Sequence, residues 1–176
     1  MVQTMNESYR RILFVALFAV VLFQTGAHIS QSFVNYPAWE FIDRSSFPAY
    51  HRVMTAGAFL FLMIPRLVEI VLALVVLRFR PAAIERWMLA LSIGLAVGAL
   101  LCTAFVQRPI HAQLEAMGNT AELLSQLRAT DWIRLVLETL RAGFYLCMLS
   151  LVVSPRTGYK SNTGKNACAP QESGAT

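Results

Sequence analysis

Charged residues are scarce in this chain. Asp, Glu, Lys and Arg make up 14% of its 176 residues, whereas 56% are hydrophobic, and the mean hydropathy is +0.53. Soluble domains carry about a quarter charged residues, so an ordinary soluble domain is excluded. A chain this apolar needs lipid around it, and membrane lipid is its first predicted partner.

Lysine is rarer still. Of the 15 basic residues 13 are arginine, and most of the basic residues flank apolar runs. The formal net charge of +5 is therefore interpreted as a sign of membrane topology, and no nucleic-acid partner is predicted. Cysteine is also sparse. Cys102, Cys147 and Cys168 lack the spacing of CxxC or zinc-ribbon motifs, which argues against a disulfide framework.

Four apolar runs reach the length that a transmembrane helix needs, about 20 residues. They predict an all-α bundle of four transmembrane helices, in one domain of residues 1–154, with spans at about 12–34, 53–77, 87–106 and 132–153. The first run imitates a signal peptide, but it stays apolar to Val34 without a clear cleavage site, which favours a retained span. Pro65 is expected to kink the second helix. Residues 155–176 are polar and predict a disordered cytoplasmic tail.

Basic residues are distributed unequally between the two ends of the predicted spans. Eight fall on the side of the termini and five on the opposite side. The positive-inside rule then predicts a multi-pass protein of the cell membrane with both termini in the cytoplasm. The eight are Arg10, Arg11, Arg78, Arg80, Arg86, Arg156, Lys160 and Lys165, and the five are Arg44, Arg52, Arg108, Arg128 and Arg134.

Two connections are expected to face outward. The first, Asn35 to Arg52, is rich in aromatic residues and predicts an outer loop lying in the membrane interface. In the second, Asn119 precedes Glu122 with the spacing of a capping box. The leucines that follow form one apolar face, which predicts a short amphipathic helix on the outer surface. They are Leu123, Leu124 and Leu127.

Ionisable residues inside the predicted spans are the first functional candidates, because charge is costly in lipid. Arg66 is three residues from Glu69, and Glu138 is three residues from Arg141. This spacing predicts an ion pair on each of two helices, with exchange of partners between the helices. The four residues are interpreted either as an internal ion-pair network or as participants in ligand binding or proton transfer.

The three histidines, His28, His51 and His111, fall near the same end of the predicted bundle. Together with Asp131 they have the ligand types that zinc, copper or iron prefers, which predicts a metal site. In the alternative interpretation no metal is bound. A histidine then acts as the general base, Arg134 stabilises a developing oxyanion, and aromatic residues hold a flat apolar substrate. Both interpretations predict an outward-facing polar pocket that also includes Glu138.

Short blocks along the chain carry a resemblance to a known family. They are Asn35-Tyr36-Pro37, Phe47, Tyr50-His51, Pro109-Ile110-His111, Leu114, Trp132-Ile133-Arg134 and Arg141. In this order, between Gly26 and Arg141, the chain resembles the anthrone-oxygenase-like family of small membrane proteins. The resemblance implies a four-helix membrane fold and, for its characterised members, oxidation of anthrones to anthraquinones by dioxygen without an obvious bound cofactor.

The residues of this chain that match the family pattern individually are His51, His111, Asn35, Trp132, Arg134 and Arg141. The chain departs from the family pattern at Asp131, where asparagine is usual, and at Glu138, where an aromatic residue is common. These two extra acids predict a pocket that also accepts a cation or a basic ligand.

The leading hypothesis is an oxidoreductase that acts on a small apolar aromatic or quinone-like substrate. His51 or His111 would be the base and Arg134 would stabilise negative charge. Substrate binding is assigned to Asn35, Tyr36, Trp132, Glu138 and Arg141. The alternatives are a module that binds or transports a metal ion or a small lipophile, and a structural or partner subunit without catalysis. The cofactor is either none or a histidine-bound transition metal, and self-association is left open.

Overall fold

The computed structural model describes residues 5–154, which form four long helices joined by short connections. They are α1 (Glu7–Phe41), α2 (Phe47–Arg78), α3 (Arg86–Met117) and α4 (Ala121–Val153). All four are long and apolar enough to cross a membrane, so the prediction of an all-α bundle of four helices is confirmed. The predicted tail, with Arg156, Lys160, Lys165 and Cys168, lies outside the described residues.

Each helix contains one predicted span and extends beyond it. The helices have 32 to 35 residues, which corresponds to a length of about 50 Å, whereas the hydrocarbon core of a bilayer is about 30 Å thick. Several turns of each helix therefore lie outside the hydrocarbon. We call the end with the connections 42–46 and 118–120 the loop end, and the end with residues 5 and 154 and the turn 79–85 the terminal end.

The prediction of an interfacial loop from Asn35 to Arg52 was wrong. Helix α1 continues to Phe41 and α2 begins at Phe47, which leaves only residues 42–46 between them. The aromatic residues suggested an interface, but Trp39 and Phe47 pack inside the bundle and are 2% and 0% exposed. In the short connection, hydrogen bonds from the Ser45 hydroxyl and N–H hold the pKa of Asp43 below its usual range.

The prediction of a separate outer helix was also wrong. The segment with Leu123, Leu124 and Leu127 is the first part of α4, because no helix-breaking residue interrupts the chain before Trp132. The helix is capped by Thr120, whose side chain accepts a hydrogen bond from the Leu123 N–H at 3.3 Å. Asn119 instead donates to the backbone oxygens of Trp39 and Ile42 at 2.8 Å and 2.7 Å, and thereby ties the two connections of the loop end together.

Three of the four helices contain a π-helical turn, and each turn ends two residues before a proline. The turns are Gln31–Asn35, Phe59–Met63 and Thr103–Gln107, followed by Pro37, Pro65 and Pro109. A proline has no N–H, and its ring collides with the carbonyl four residues earlier. A wider turn avoids this collision. Near Pro65, the Gln24 side chain donates to the Leu62 carbonyl at 2.9 Å.

Two apolar clusters fill the ends of the bundle. The terminal-end cluster consists of Phe14, Leu17, Val21, Ala73, Val76, Ile84, Leu89, Tyr145, Met148 and Val152. The loop-end cluster consists of Tyr36, Trp39, Phe47, Ile110, Leu114, Leu123, Leu124 and Leu127. Buried polar side chains lie between the clusters, and they define the region where a functional site would be found.

Candidate functional site

A cavity of about 430 Å³ lies inside the bundle, beside the buried polar residues. This volume is within the range of pockets for small organic ligands. The apolar aliphatic, methionine and phenylalanine side chains that line the cavity all come from α2 and α3: Met54, Ala58, Phe59, Leu62, Met63, Ala99, Leu100 and Ala104. The remaining lining residues are polar or aromatic and come from all four helices: His28, Gln31, Tyr36, Trp39, Thr55, Arg66, Thr103, Arg108, His111, Arg134 and Glu138.

The cavity depends on the π turns. Each of the three turns contributes at least one lining residue: Gln31 from the first, Phe59, Leu62 and Met63 from the second, and Thr103 and Ala104 from the third. A π turn widens the helix locally, so the bundle has space at a level where regular helices would pack more closely. The signal for this feature in the sequence is the proline that follows each turn.

Two of the predicted histidines form a pair. His51 Nε2 lies 3.0 Å from His111 Nδ1, and the two rings are enclosed by Trp39 and Phe47. His111 lines the cavity, whereas His51 lies behind it. Thr55, one turn after His51, lies 3.4 Å from His51 Nδ1 and donates to the His51 carbonyl at 2.8 Å.

Arg134 belongs to a second buried group on α4. Its guanidinium donates to Asp131 at 2.5 Å and to the Tyr36 hydroxyl at 3.1 Å. The other Asp131 oxygen is bonded by the Ser32 hydroxyl. Arg134 is only 5% exposed. The count of basic residues for the topology had placed it among the five charges on the outer side, but its guanidinium is buried inside the bundle.

Arg66, Glu69, Glu138 and Arg141 form a closed arrangement that we call the ion ring. Both predicted pairs along a helix are present, with nitrogen-to-oxygen distances of 2.7 Å for Arg66 and Glu69 and 2.6 Å for Arg141 and Glu138. Ion pairs also form between the two helices, because Arg141 lies 2.6 Å from Glu69 and Arg66 bonds Glu138. Two positive and two negative charges balance, which is the condition for keeping charges inside a bundle.

His28 contacts the ion ring and not the other histidines. Its Nε2 lies 3.5 Å from an Arg66 nitrogen and 3.9 Å from a Glu138 oxygen. Its Nδ1 has no hydrogen-bond partner among residues 5–154. His28, Arg66 and Glu138 line the part of the cavity that is nearest to the terminal end.

The predicted metal site of His28, His51, His111 and Asp131 is not formed. Within residues 5–154, no group of three or more His, Cys, Asp or Glu side chains could hold a metal ion. The prediction assumed that helix ends at one membrane level bring these residues together. Instead, His28 lies at the ion ring and Asp131 is bonded to Arg134, while His51 and His111 bond each other.

The predicted substrate-binding residues have different positions. Tyr36 and Glu138 line the cavity, and Arg141 lies behind Glu138 in the ion ring. Asn35 bonds the Gln31 side chain at 2.8 Å. Trp132 is 56% exposed and packs edge-on against Phe33 on the outside of the bundle, where it faces lipid and not the cavity.

Several residues of the site were missed from the sequence. Thr55 could have been found, because a hydroxyl one turn after a histidine on the same helix reaches it. Gln31, Trp39 and Arg108 also line the cavity. Arg108 had been counted only as a flanking charge, and Trp39 only as a residue of an interfacial loop.

The fold and the site describe a multi-pass membrane protein of four helices with a partly polar internal cavity. No protein-family model, no curated protein sequence and no solved structure matches the chain.

Proposed function

We propose that the chain is an oxidoreductase of the cell membrane that binds a small, apolar aromatic or quinone-like molecule in the internal cavity. The observation that carries the proposal is that His111 and Arg134 line the same apolar-walled cavity. A flat apolar ligand fits such walls. A neighbouring base and cation are the groups needed to remove a proton and to stabilise the resulting oxyanion.

The hydrogen bonds of the histidine pair support His111 as the base. The Thr55 hydroxyl has one proton, which it donates to the His51 carbonyl, so it accepts from His51 Nδ1. His51 Nε2 is then unprotonated and accepts from His111 Nδ1. This leaves His111 Nε2 free of a proton. His51 and Thr55 are therefore positioning residues, and His111 is the proton acceptor.

The reaction implied by the family resemblance fits these groups. An anthrone and dioxygen give an anthraquinone and water: the methylene carbon loses two hydrogens and gains one oxygen atom, and the second oxygen atom leaves as water. We propose that His111 removes the first proton from the methylene carbon. Negative charge then develops on the ketone oxygen, where Arg134 stabilises it. The Arg134 guanidinium already donates to Asp131 and to the Tyr36 hydroxyl, which hold it beside the cavity.

The proposed orientation follows from charge. The terminal end carries Arg10, Arg11, Arg78, Arg80 and Arg86, and we propose that it faces the cytoplasm. Because the number of crossings is even, both termini then lie on that side, and the cavity is nearer to the outer surface.

The test compares His111→Gln with wild type in lipid nanodiscs. Anthrone and dioxygen are supplied, and anthraquinone formation and oxygen uptake are recorded above the rate without protein. We expect the variant to lose about a hundredfold in rate or more, which is the usual contribution of a general base. Ala112→Gln is the matched control, since it places the same amide on the exposed face of the next position.

Two results contradict the proposal. One is a wild type that produces no anthraquinone above the uncatalysed rate. The other is a His111→Gln variant that retains the wild-type rate. A wild type that binds anthraquinone but forms none would instead support a module that binds or transports a small lipophile, for which the same cavity suffices.

A further inference from the structure

The cavity has no opening along the axis of the bundle. Towards the loop end it is covered by the loop-end cluster, in which Tyr36 and Trp39 are each 2% exposed and Phe47 is 0% exposed. Towards the terminal end it is covered by the ion ring, and beyond that ring by the terminal-end cluster. A ligand that approached from water on either side would have to displace one of these packed layers.

The lining residues of the cavity that are exposed all belong to α2 and α3, so an opening at the side of the bundle lies between these two helices; they are Thr55, Phe59, Ala104 and Arg108. These helices pack together near the loop end, through Phe47–Ala58 and Arg108–Met117, and near the terminal end, through Ile64–Arg78 and Arg86–Cys102. Between these two contacts lie the π turns Phe59–Met63 and Thr103–Gln107, and both turns line the cavity. The helices are therefore separated by the cavity itself at this level.

The residues at this side opening are small or exposed. On α2, Phe59 lines the cavity and is 59% exposed. On α3, Ala104 lines the cavity and is also exposed. Neighbouring side chains on the outside are apolar, with Leu60 57% and Phe105 75% exposed. Such a surface faces hydrocarbon. Arg108, one turn from Ala104, lies at the loop-side edge of the opening.

We propose that this opening is a lateral window through which the ligand reaches the cavity from the bilayer. The inference rests on the proposed function, because it names the substrate class of the same site: an aromatic or quinone ring that carries a long apolar tail. A cavity of about 430 Å³ holds the ring but not the ring together with a long tail. The ring binds inside, and the tail passes between Phe59 and Ala104 into the lipid.

The test uses two probes with the same ring: a methylnaphthoquinone without a tail, and the same ring with a phytyl tail. Binding in nanodiscs is followed through the fluorescence of Trp39, which lines the cavity and which a bound quinone quenches. Trp87 and Trp132 are each 56% exposed and would be quenched by free quinone in the bilayer. They are therefore replaced by phenylalanine in the background protein.

In this background both quinones are expected to bind, with dissociation constants within about threefold of each other. Ala104→Phe narrows the window. Because Ala104 also lines the cavity, the test compares the two quinones: binding of the tailed quinone should weaken roughly tenfold more than binding of the tailless quinone, since only the tail has to pass the overpacked opening. Leu101→Phe is the control, because Leu101 is on the same helix, is 49% exposed and does not line the cavity. It should change neither constant.

The outcomes separate the two proposals. If the tailless quinone binds and the tailed one does not, the window is overturned while the ligand class of the cavity stands. If Ala104→Phe weakens both quinones equally, the window is overturned as well, because a narrowed opening should weaken the tailed quinone more than the tailless one. If neither quinone binds to the background protein, the proposed function fails, and the window fails with it.

Discussion

Single side chains decide which histidine nitrogen carries the proton. The Thr55 hydroxyl, the His51 ring and the His111 ring form one chain of hydrogen bonds, and each link determines the protonation of the next. In the proposed reaction, proton transfer by His111 therefore depends on Thr55, which is two hydrogen bonds away. At this scale the chemistry is decided by the hydrogen-bonding capacity of one hydroxyl group.

Gly118 is a second position where one residue has a large effect. It ends α3 with a φ of 81°, and a Cβ there would lie 3.0 Å from Arg44 Cγ and 3.2 Å from the Arg44 carbonyl oxygen. We expect Gly118→Ala to lower the free energy of unfolding by about 1–3 kcal/mol, since both the backbone and the contact become strained. Thermal unfolding in detergent, followed by circular dichroism, measures this.

Gly143→Ala is the matched control, because Gly143 is inside α4 and a Cβ there meets nothing within 4 Å. Alanine favours the helix over glycine by about 0.5–1 kcal/mol, so this variant should be equal to wild type or more stable. Equal stability of the two variants would show that Gly118 is not strained by a side chain.

At the scale of the helices, the π turns are the elements that create the site. A π turn contains one residue more than the α-helical turn it replaces. Because the helix on either side keeps its face towards the core, the extra residue is absorbed locally. The three helices with prolines near their middle or loop side have such turns, and α4, which contains no proline, has none.

Removing the extra residue of α2 tests this interpretation. Deletion of Leu60, combined with Pro65→Ala to avoid the ring collision, should turn Phe59–Met63 into a regular helical turn. We expect the protein to fold with an unfolding midpoint within about 4 °C of wild type. Binding of the tailless quinone should weaken roughly tenfold or more, because the cavity wall changes shape. Thermal unfolding and Trp39 quenching measure the two effects.

Deletion of Leu140 is the control for the register. Leu140 is 52% exposed, like Leu60 at 57%, but it lies in a helix without a π turn. The deletion rotates the remainder of α4 by about 100° and separates Glu138 from Arg141, so little folded protein is expected. If both deletions abolish folding to the same extent, the π turn of α2 does not contain an extra residue that can be deleted without loss of the fold.

For the whole molecule, the ion ring is the polar connection between α2 and α4. Its four charges balance as a set, so the loss of one leaves a buried net charge among the other three. We expect Glu69→Gln to cost about 3–5 kcal/mol of stability. The double variant Glu69→Gln, Arg141→Gln removes one charge of each sign and keeps Arg66 bonded to Glu138, so it should cost less than Glu69→Gln alone.

Unfolding in mixed detergent micelles measures these differences, and an exposed ion pair provides the control. Glu40 bonds Arg128 near the loop end, and their side chains are 44% and 39% exposed. Glu40→Gln should change stability by less than about 1 kcal/mol. A double variant whose cost equals the sum of its two single variants would show that the four charges act independently.

Much of the architecture could be predicted from the sequence. The length of an apolar run and the spacing of two ions along a helix are local properties, so the four helices and the pairs Arg66 with Glu69 and Glu138 with Arg141 followed directly. The ends of the helices did not, because the aromatic residues after Asn35 fit an interfacial loop as well as a buried helix. Contact with Ile110 and Leu114 from α3 decides between the two.

The sequence by itself determined that this chain crosses lipid four times and carries buried charge, because lipid allows few ways to satisfy a backbone and an ion. The tertiary structure alone decided that His111 lines the cavity and His51 lies behind it, that His28 joins the ion ring, and that Trp132 faces outward. These positions depend on the rotation of each helix about its axis. That rotation is set by packing between helices that are distant in the chain, and the π turns absorb an extra residue while each helix keeps its face towards the core.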